Sequence, residues 1–115
     1  ETREGKPVKL IIAVIQDKDV PKLMDALVRA GYSATKLAST GGFLREGNST
    51  ILIGVDDDEI ENVLEIVKDN CRAREQLVTP ITPVGPAESY VPYPVGVMVG
   101  GATVFILPIE RFVKV

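Results

Sequence analysis

The sequence predicts an α+β domain of the ferredoxin-like kind, with elements in the order β-α-β-β-α-β and an extra C-terminal strand. Three observations lead there. Val8 to Ile15 (VKLIIAVI) is an almost unbroken aliphatic run, with the length and β-branched content of a buried central strand. Ile60, Val63, Leu64, Val67 and Cys71 recur at the spacing of an amphipathic helix. Two strand-like segments between these landmarks flank a glycine-containing stretch, which is the signature of a hairpin.

Each element follows in turn. After the first strand, Gln16-Asp17-Lys18-Asp19 turns the chain. Asp19 suits a helix cap, and Pro21 is tolerated in a first turn. Leu23, Ala26, Leu27 and Ala30 then repeat at helical spacing, and Gly31 suits the stop. Tyr32 to Thr40 reads as the second strand and Ser49 to Val55 as the third, paired across Gly41 to Asn48. Asp56-Asp57-Asp58-Glu59 gathers acid at the start of the second helix, where the macrodipole favours it. These aspartates lack the spacing of an EF-hand loop, so they read as capping and solvated residues rather than metal ligands.

Arg72 to Val78 leads into a proline-rich stretch: five of the eight prolines fall between Thr79 and Val95. That composition makes a long loop, and long loops in small domains are functional or disordered. Val95 to Val99 and Ala102 to Leu107 read as strands on either side of Gly100-Gly101, forming either a hairpin or one strand with a bulge. Ile109 to Val115 is a short tail. With both helices on one face of the sheet, the other face keeps apolar side chains that another subunit must cover.

At 115 residues with a formal net charge of −3, the chain is one domain without a basic track for DNA or RNA. A small anion stays possible, because backbone N–H groups bind one without a basic surface. The single cysteine, Cys71, and the lack of histidine exclude an internal disulfide, the usual zinc sets and Ser-His or Cys-His nucleophile pairs. Cys71 lies on the apolar stripe of the second helix and reads as a core residue. No apolar run reaches the roughly 20 residues of a membrane span. Residues 1–7 read as a disordered leader or appended remnant, residues 8–115 as the domain, and the protein as cytoplasmic.

Residues 35–50 (TKLASTGGFLREGNST) are the richest in chemistry. Gly41 and Gly42 permit unusual φ angles and close ligand approach, and successive N–H groups there could nest an anion. Phe43 follows directly, and a loop aromatic can stack on a base. Asn48 carries both a donor and an acceptor, as an adenine edge requires. Thr35, Ser39 and Thr40 offer hydroxyls to phosphate. From the residues alone, a plain hairpin turn with an incidentally exposed Phe remains open beside this nucleotide reading.

TKLASTGGFLREGNSTILIGV, REQLVTPITPVGPAESYVPYPV and VGGATVFILP closely resemble the PII-like cyclic di-AMP receptor family, over nearly the whole chain from Lys9 to Pro108. The resemblance implies a homotrimer of ferredoxin-like, PII-like protomers. It implies a short loop between strands two and three, a large proline-containing loop before the last strands, and one cyclic di-AMP in each intersubunit cleft. The implied site comprises Thr35, Gly42, Phe43, Leu44, Asn48, Gly54 and Phe105. Phe43 would cover an adenine and Asn48 read its edge, while the backbone at Gly42 to Leu44 and the Thr35 hydroxyl address phosphate. Characterised members often carry Arg where this chain has Ser33, and Asn where it has Gly31. Ser33 brings no charge to that position, and losing a charged hydrogen bond of roughly 1.5–3 kcal/mol weakens affinity about ten- to a hundredfold. Lys36 and Arg45 are the nearby cations that could replace it.

The expectation is therefore a non-catalytic signal receptor without a cofactor, whose loops reorder around cyclic di-AMP for an unknown downstream protein. Tyr90 and Tyr93 would pin the long loop or else form a partner-binding face, and Arg111 and Lys114 read as solvated tail charges, or else as contacts to a ligand phosphate from a neighbouring subunit. The rivals are a PII-like regulator binding ATP or ADP, a small nucleotide hydrolase, and a ligand-free structural trimer. The ATP-binding regulator calls for a longer loop between strands two and three than this chain has.

Overall fold

The structure is a computed structural model and describes residues 8–37, 47–78 and 94–115. The chain runs β1 (Val8–Gln16), α1 (Val20–Arg29), β2 (Ala34–Leu37), β3 (Asn48–Asp56), α2 (Ile60–Cys71), β4 (Arg74–Val78), β5 (Val95–Val99) and β6 (Ala102–Pro108). Short 3-10 turns, Asp17–Asp19 and Asp57–Glu59, precede the two helices. Four strands form an antiparallel sheet in the order β2-β3-β1-β6, and β4 and β5 pair as a separate two-stranded ribbon. This is the expected α+β, ferredoxin-like layout.

The aliphatic run of β1 sits at the centre because both of its neighbours bury it. Ile11 lies opposite Ile53 on β3 and Ile106 on β6, and Ala13 lies opposite Ile51 and Val104. Strand alternation sends Ile11, Ala13, Ile15, Ile51, Ile53 and Val55 to one face. There they meet Leu23 and Leu27 from α1 and Val63, Val67 and Cys71 from α2, all buried. Burying each of the larger side chains contributes about 1.5–3 kcal/mol. Cys71 is fully buried within this core, as its place on the helical stripe implied.

The opposite face carries Leu10, Ile12, Val14, Leu52, Phe105 and Leu107. No helix or described segment covers most of it, and Leu37, Phe105 and Leu107 are each more than 40% exposed.

Two local expectations need correction. Val95–Val99 and Ala102–Pro108 do not form a hairpin with each other. The chain leaves the ribbon at β5 and enters the main sheet at β6, through Gly100 and Gly101 at φ 81° and 94°. The partner of β5 is β4, with Arg74 opposite Val99 and Val78 opposite Val95. β6 thus takes the fourth place in the main sheet. Asp19 holds the N-cap position of α1 but makes no side-chain capping bond. Its carboxylate accepts hydrogen bonds from Arg74 instead. A charged partner outcompetes a backbone N–H for a carboxylate that is 3% exposed. The expected leader at residues 1–7, the glycine-rich stretch 38–46 and the proline-rich stretch 79–93 lie outside the described residues.

Candidate functional site

The candidate site is on the sheet face away from the helices. In one cross-strand row Thr35 lies beside Leu52, Leu52 beside Ile12, and Ile12 beside Phe105. Gly54 is two residues along β3 from Leu52, on the same face, with Leu10 and Leu107 in its row. Asn48 begins β3 on this face as well, six residues from Gly54. The alternation of β3 therefore aims Asn48 and Gly54 the same way, about 20 Å apart along the strand.

A cavity of about 710 Å³ opens at the Gly54 end. Ser33, Thr35, Leu52 and Gly54 belong to its lining, as do Phe112 and Lys114 of the C-terminal tail. Its size is that of a small-molecule pocket, and its lining mixes apolar walls with a few polar groups. The tail enters this arrangement through the backbone N–H of Ile109, which donates to the Val8 carbonyl at 3.0 Å. A methyl group placed on Gly54 would meet nothing within 4 Å, so no neighbour in the protomer requires glycine there.

Of the expected site residues, Ser33, Thr35 and Gly54 come together in the cavity. Phe105 shares the sheet face without joining the lining. Asn48 sits at the far end, in a smaller cleft with Gln16, Gly100 and Gly101. Gly42, Phe43 and Leu44 lie outside the described residues. Lys114 is the residue that sequence reasoning undervalued. It lines the cavity, and its place in the short tail Ile109 to Val115 gave no local signal of that position. Lys36 faces the other way: it lies opposite Ile51, on the helix side of β2, and cannot serve the place of Ser33.

Two other titratable groups lie beside the sheet, Tyr32 and Cys71. The Tyr32 hydroxyl donates to the Glu59 carboxylate, and this bond leads the causes that raise the tyrosine pKa. Burial, foremost, pushes the Cys71 thiol up to about 11, which keeps it protonated and unreactive at neutral pH. Among the described residues, no group of three or more His, Cys, Asp or Glu side chains is arranged to hold a metal, and no helix is long and apolar enough to cross a membrane.

A family model described as "cyclic-di-AMP receptor" matches residues 8–115. The chain belongs to the cyclic-di-AMP receptor family. Among solved structures, this family member is similar to a protein of unknown function from Pediococcus pentosaceus. The two are 40% identical, with a TM-score of 0.79, over 96% of this chain and 100% of that one. It is also similar to Arabidopsis thaliana PII bound to citrate, at 15% identity and a TM-score of 0.58, over 96% of this chain and 82% of that one. The second likeness shows a shared PII-like fold. Family membership gives the chain a ligand class, cyclic di-AMP.

Proposed function

We propose that the protein is a non-catalytic receptor for cyclic di-AMP, held at clefts between the subunits of a homotrimer. The observation that carries this reading is the cavity that gathers Thr35, Gly54 and Lys114 on a sheet face left apolar and open. In a lone protomer, Leu37, Phe105 and Leu107 would stay exposed to water, and a second subunit over that face would both bury them and complete the pocket. Thr35 donates its hydroxyl to a phosphodiester, and Gly54 lets the ligand backbone come close. Lys114 supplies the positive charge that Ser33 does not, so the tail performs the task a cation just before β2 would otherwise serve. From across the intersubunit cleft, Asn48 of the neighbouring protomer reads an adenine edge and Phe43 stacks on its ring, while the N–H groups of Gly42 to Leu44 complete the phosphate contacts.

Binding would then rearrange the loop between β2 and β3 and the proline-rich loop before β5, and change the surface offered to a downstream protein. Residues 38–47 alone join β2 to β3, which favours this reading over an ATP-binding regulator with a long loop at that point.

A calorimetric and thermal-shift screen of cyclic di-AMP, cyclic di-GMP, cyclic AMP, ATP and ADP tests the proposal, with light scattering for the assembly. Cyclic di-AMP should raise the melting temperature most, because a ligand that prefers the folded state stabilises it. The mass should be three times that of the 12.4 kDa chain. A monomer, or a melting temperature indifferent to all five nucleotides, overturns the reading. A response to ATP or ADP alone transfers it to the regulator alternative.

A further inference from the structure

Asn48 opens β3, and its register partner is Gln16, the last residue of β1. Strand ends fray, because they lack a further pair to hold them. Here one residue braces the chain on both sides of Asn48. The backbone N–H of Asp17 donates to the Gly47 carbonyl at 2.8 Å, and the Asp17 carboxylate accepts a hydrogen bond from the Ser49 hydroxyl. Ser49 is 4% exposed, so water cannot readily replace that acceptor. Gly47, at φ 88°, adopts a backbone conformation that few other residues tolerate.

Asp17 is itself held in place. It begins the 3-10 turn that ends at Asp19. Arg74 anchors the buried Asp19 carboxylate, and the Lys18 ammonium donates to the Gln76 side-chain oxygen at 2.7 Å. The brace on Asn48 therefore rests on a fixed point.

We infer that Asp17 is a positioning residue for nucleotide binding: it touches no ligand, but it sets the entry of β3 so that Asn48 presents its amide to the base. The inference rests on the proposed reading of Asn48 as a ligand contact. A pin that served only the fold would matter equally whether or not Asn48 had its amide.

Calorimetry with cyclic di-AMP on the full chain separates the two. Asp17→Ala and Ser49→Ala should each raise Kd by roughly five- to tenfold, and Asp17→Asn, which keeps an oxygen acceptor, should recover most of the loss. In an Asn48→Ala background Asp17→Ala should add nothing further, whereas it should remain additive with Thr35→Val. Should Asp17→Ala misfold, Ser49→Ala in both backgrounds gives the same comparison. Wild-type affinity in Asp17→Ala and Ser49→Ala, or equal losses with and without the Asn48 amide, overturns the inference alone. So does an Asn48→Ala variant that binds like wild type. A wild-type chain that fails to bind cyclic di-AMP overturns the functional reading as well.

Discussion

Arg74 forks onto both carboxylate oxygens of Asp19: Nη2 donates to Oδ1 at 2.8 Å and Nη1 to Oδ2 at 3.4 Å. The pair joins the root of the β4–β5 ribbon to the start of α1, across 55 positions of sequence. The bond to Asp19, ahead of every other influence, raises the guanidinium pKa. Because Asp19 is nearly fully buried, Arg74→Met leaves a carboxylate without its partner. The variant should melt several degrees lower in differential scanning calorimetry, and Asp19→Asn paired with Arg74→Met should recover part of the loss. An unchanged melting temperature in Arg74→Met means that the ribbon root is not held by this contact.

Gly100→Ala should destabilise the fold by about 1–3 kcal/mol, read as a lower urea midpoint. Its φ of 81° already disfavours a side chain, and the new Cβ would lie 2.6 Å from the Arg72 carbonyl and 2.3 Å from Arg74 Nη1. Gly31→Ala provides the comparison. It has the same kind of φ, 89°, but open space around the added carbon, so only about 1 kcal/mol of backbone strain applies. Equal midpoints for the two variants would show that crowding at the sheet-to-ribbon passage has no energetic weight.

Gly54→Val should leave the fold intact and remove nucleotide binding. The new Cβ enters open space within the protomer, and β-branched residues suit strands. They would fill the room a ligand needs. Thermal melting without nucleotide and calorimetry with cyclic di-AMP report the two effects separately, and retained affinity would move the site away from Gly54.

Lys114→Ala should weaken cyclic di-AMP binding about tenfold, with a larger loss at low salt than at high salt, because charge attraction is screened. Thr35→Val should cost about 1.5–3 kcal/mol of binding if its hydroxyl meets a charged phosphate. Phe43→Ala should cost about 1–3 kcal/mol of binding without lowering the stability of the assembly. Calorimetric titration of each variant checks these values; wild-type affinity in all three would displace the pocket altogether.

Cys71 provides a pH test. Its thiol ionises only at about 11 in the folded chain, against an ordinary value of 9.0, chiefly because burial penalises the thiolate. The raised value means that the folded state holds its proton longer than the unfolded one. This contribution to stability is complete below pH 9.0 and is lost as pH rises through about 11. Cys71→Ala should flatten that part of the stability–pH curve. Iodoacetamide should label native protein slowly at pH 8 and unfolded protein fast.

Much of this fold was legible because periodicity and burial agree. The run from Val8 to Ile15 became the central strand, and the stripe from Ile60 to Cys71 faces the core as its spacing implied. Pairing between distant segments was not legible. Val95–Val99 finds Arg74–Val78 across the proline-rich stretch, while Gly100-Gly101 looks in sequence like the tip of a local hairpin. Local turn chemistry cannot reveal that two positive φ angles carry a strand from one sheet into another. The same applies to the site. Thr35 stood out by its hydroxyl and Gly54 came from the family resemblance, but Lys114 reaches the cavity only because the tail folds back along Val8, a tertiary event with no local signature.

The four residues Gln16 to Asp19 each hold a different anchor. Gln16 accepts from the Gly100 N–H, Asp17 braces Gly47 and Ser49, Lys18 meets Gln76, and Asp19 meets Arg74. For protein engineers this makes the segment an adaptor that must travel with its clients. A chimera that imports the stretch before β3, or the ribbon, from a relative will inherit mismatched fittings unless these four positions are transplanted together with it.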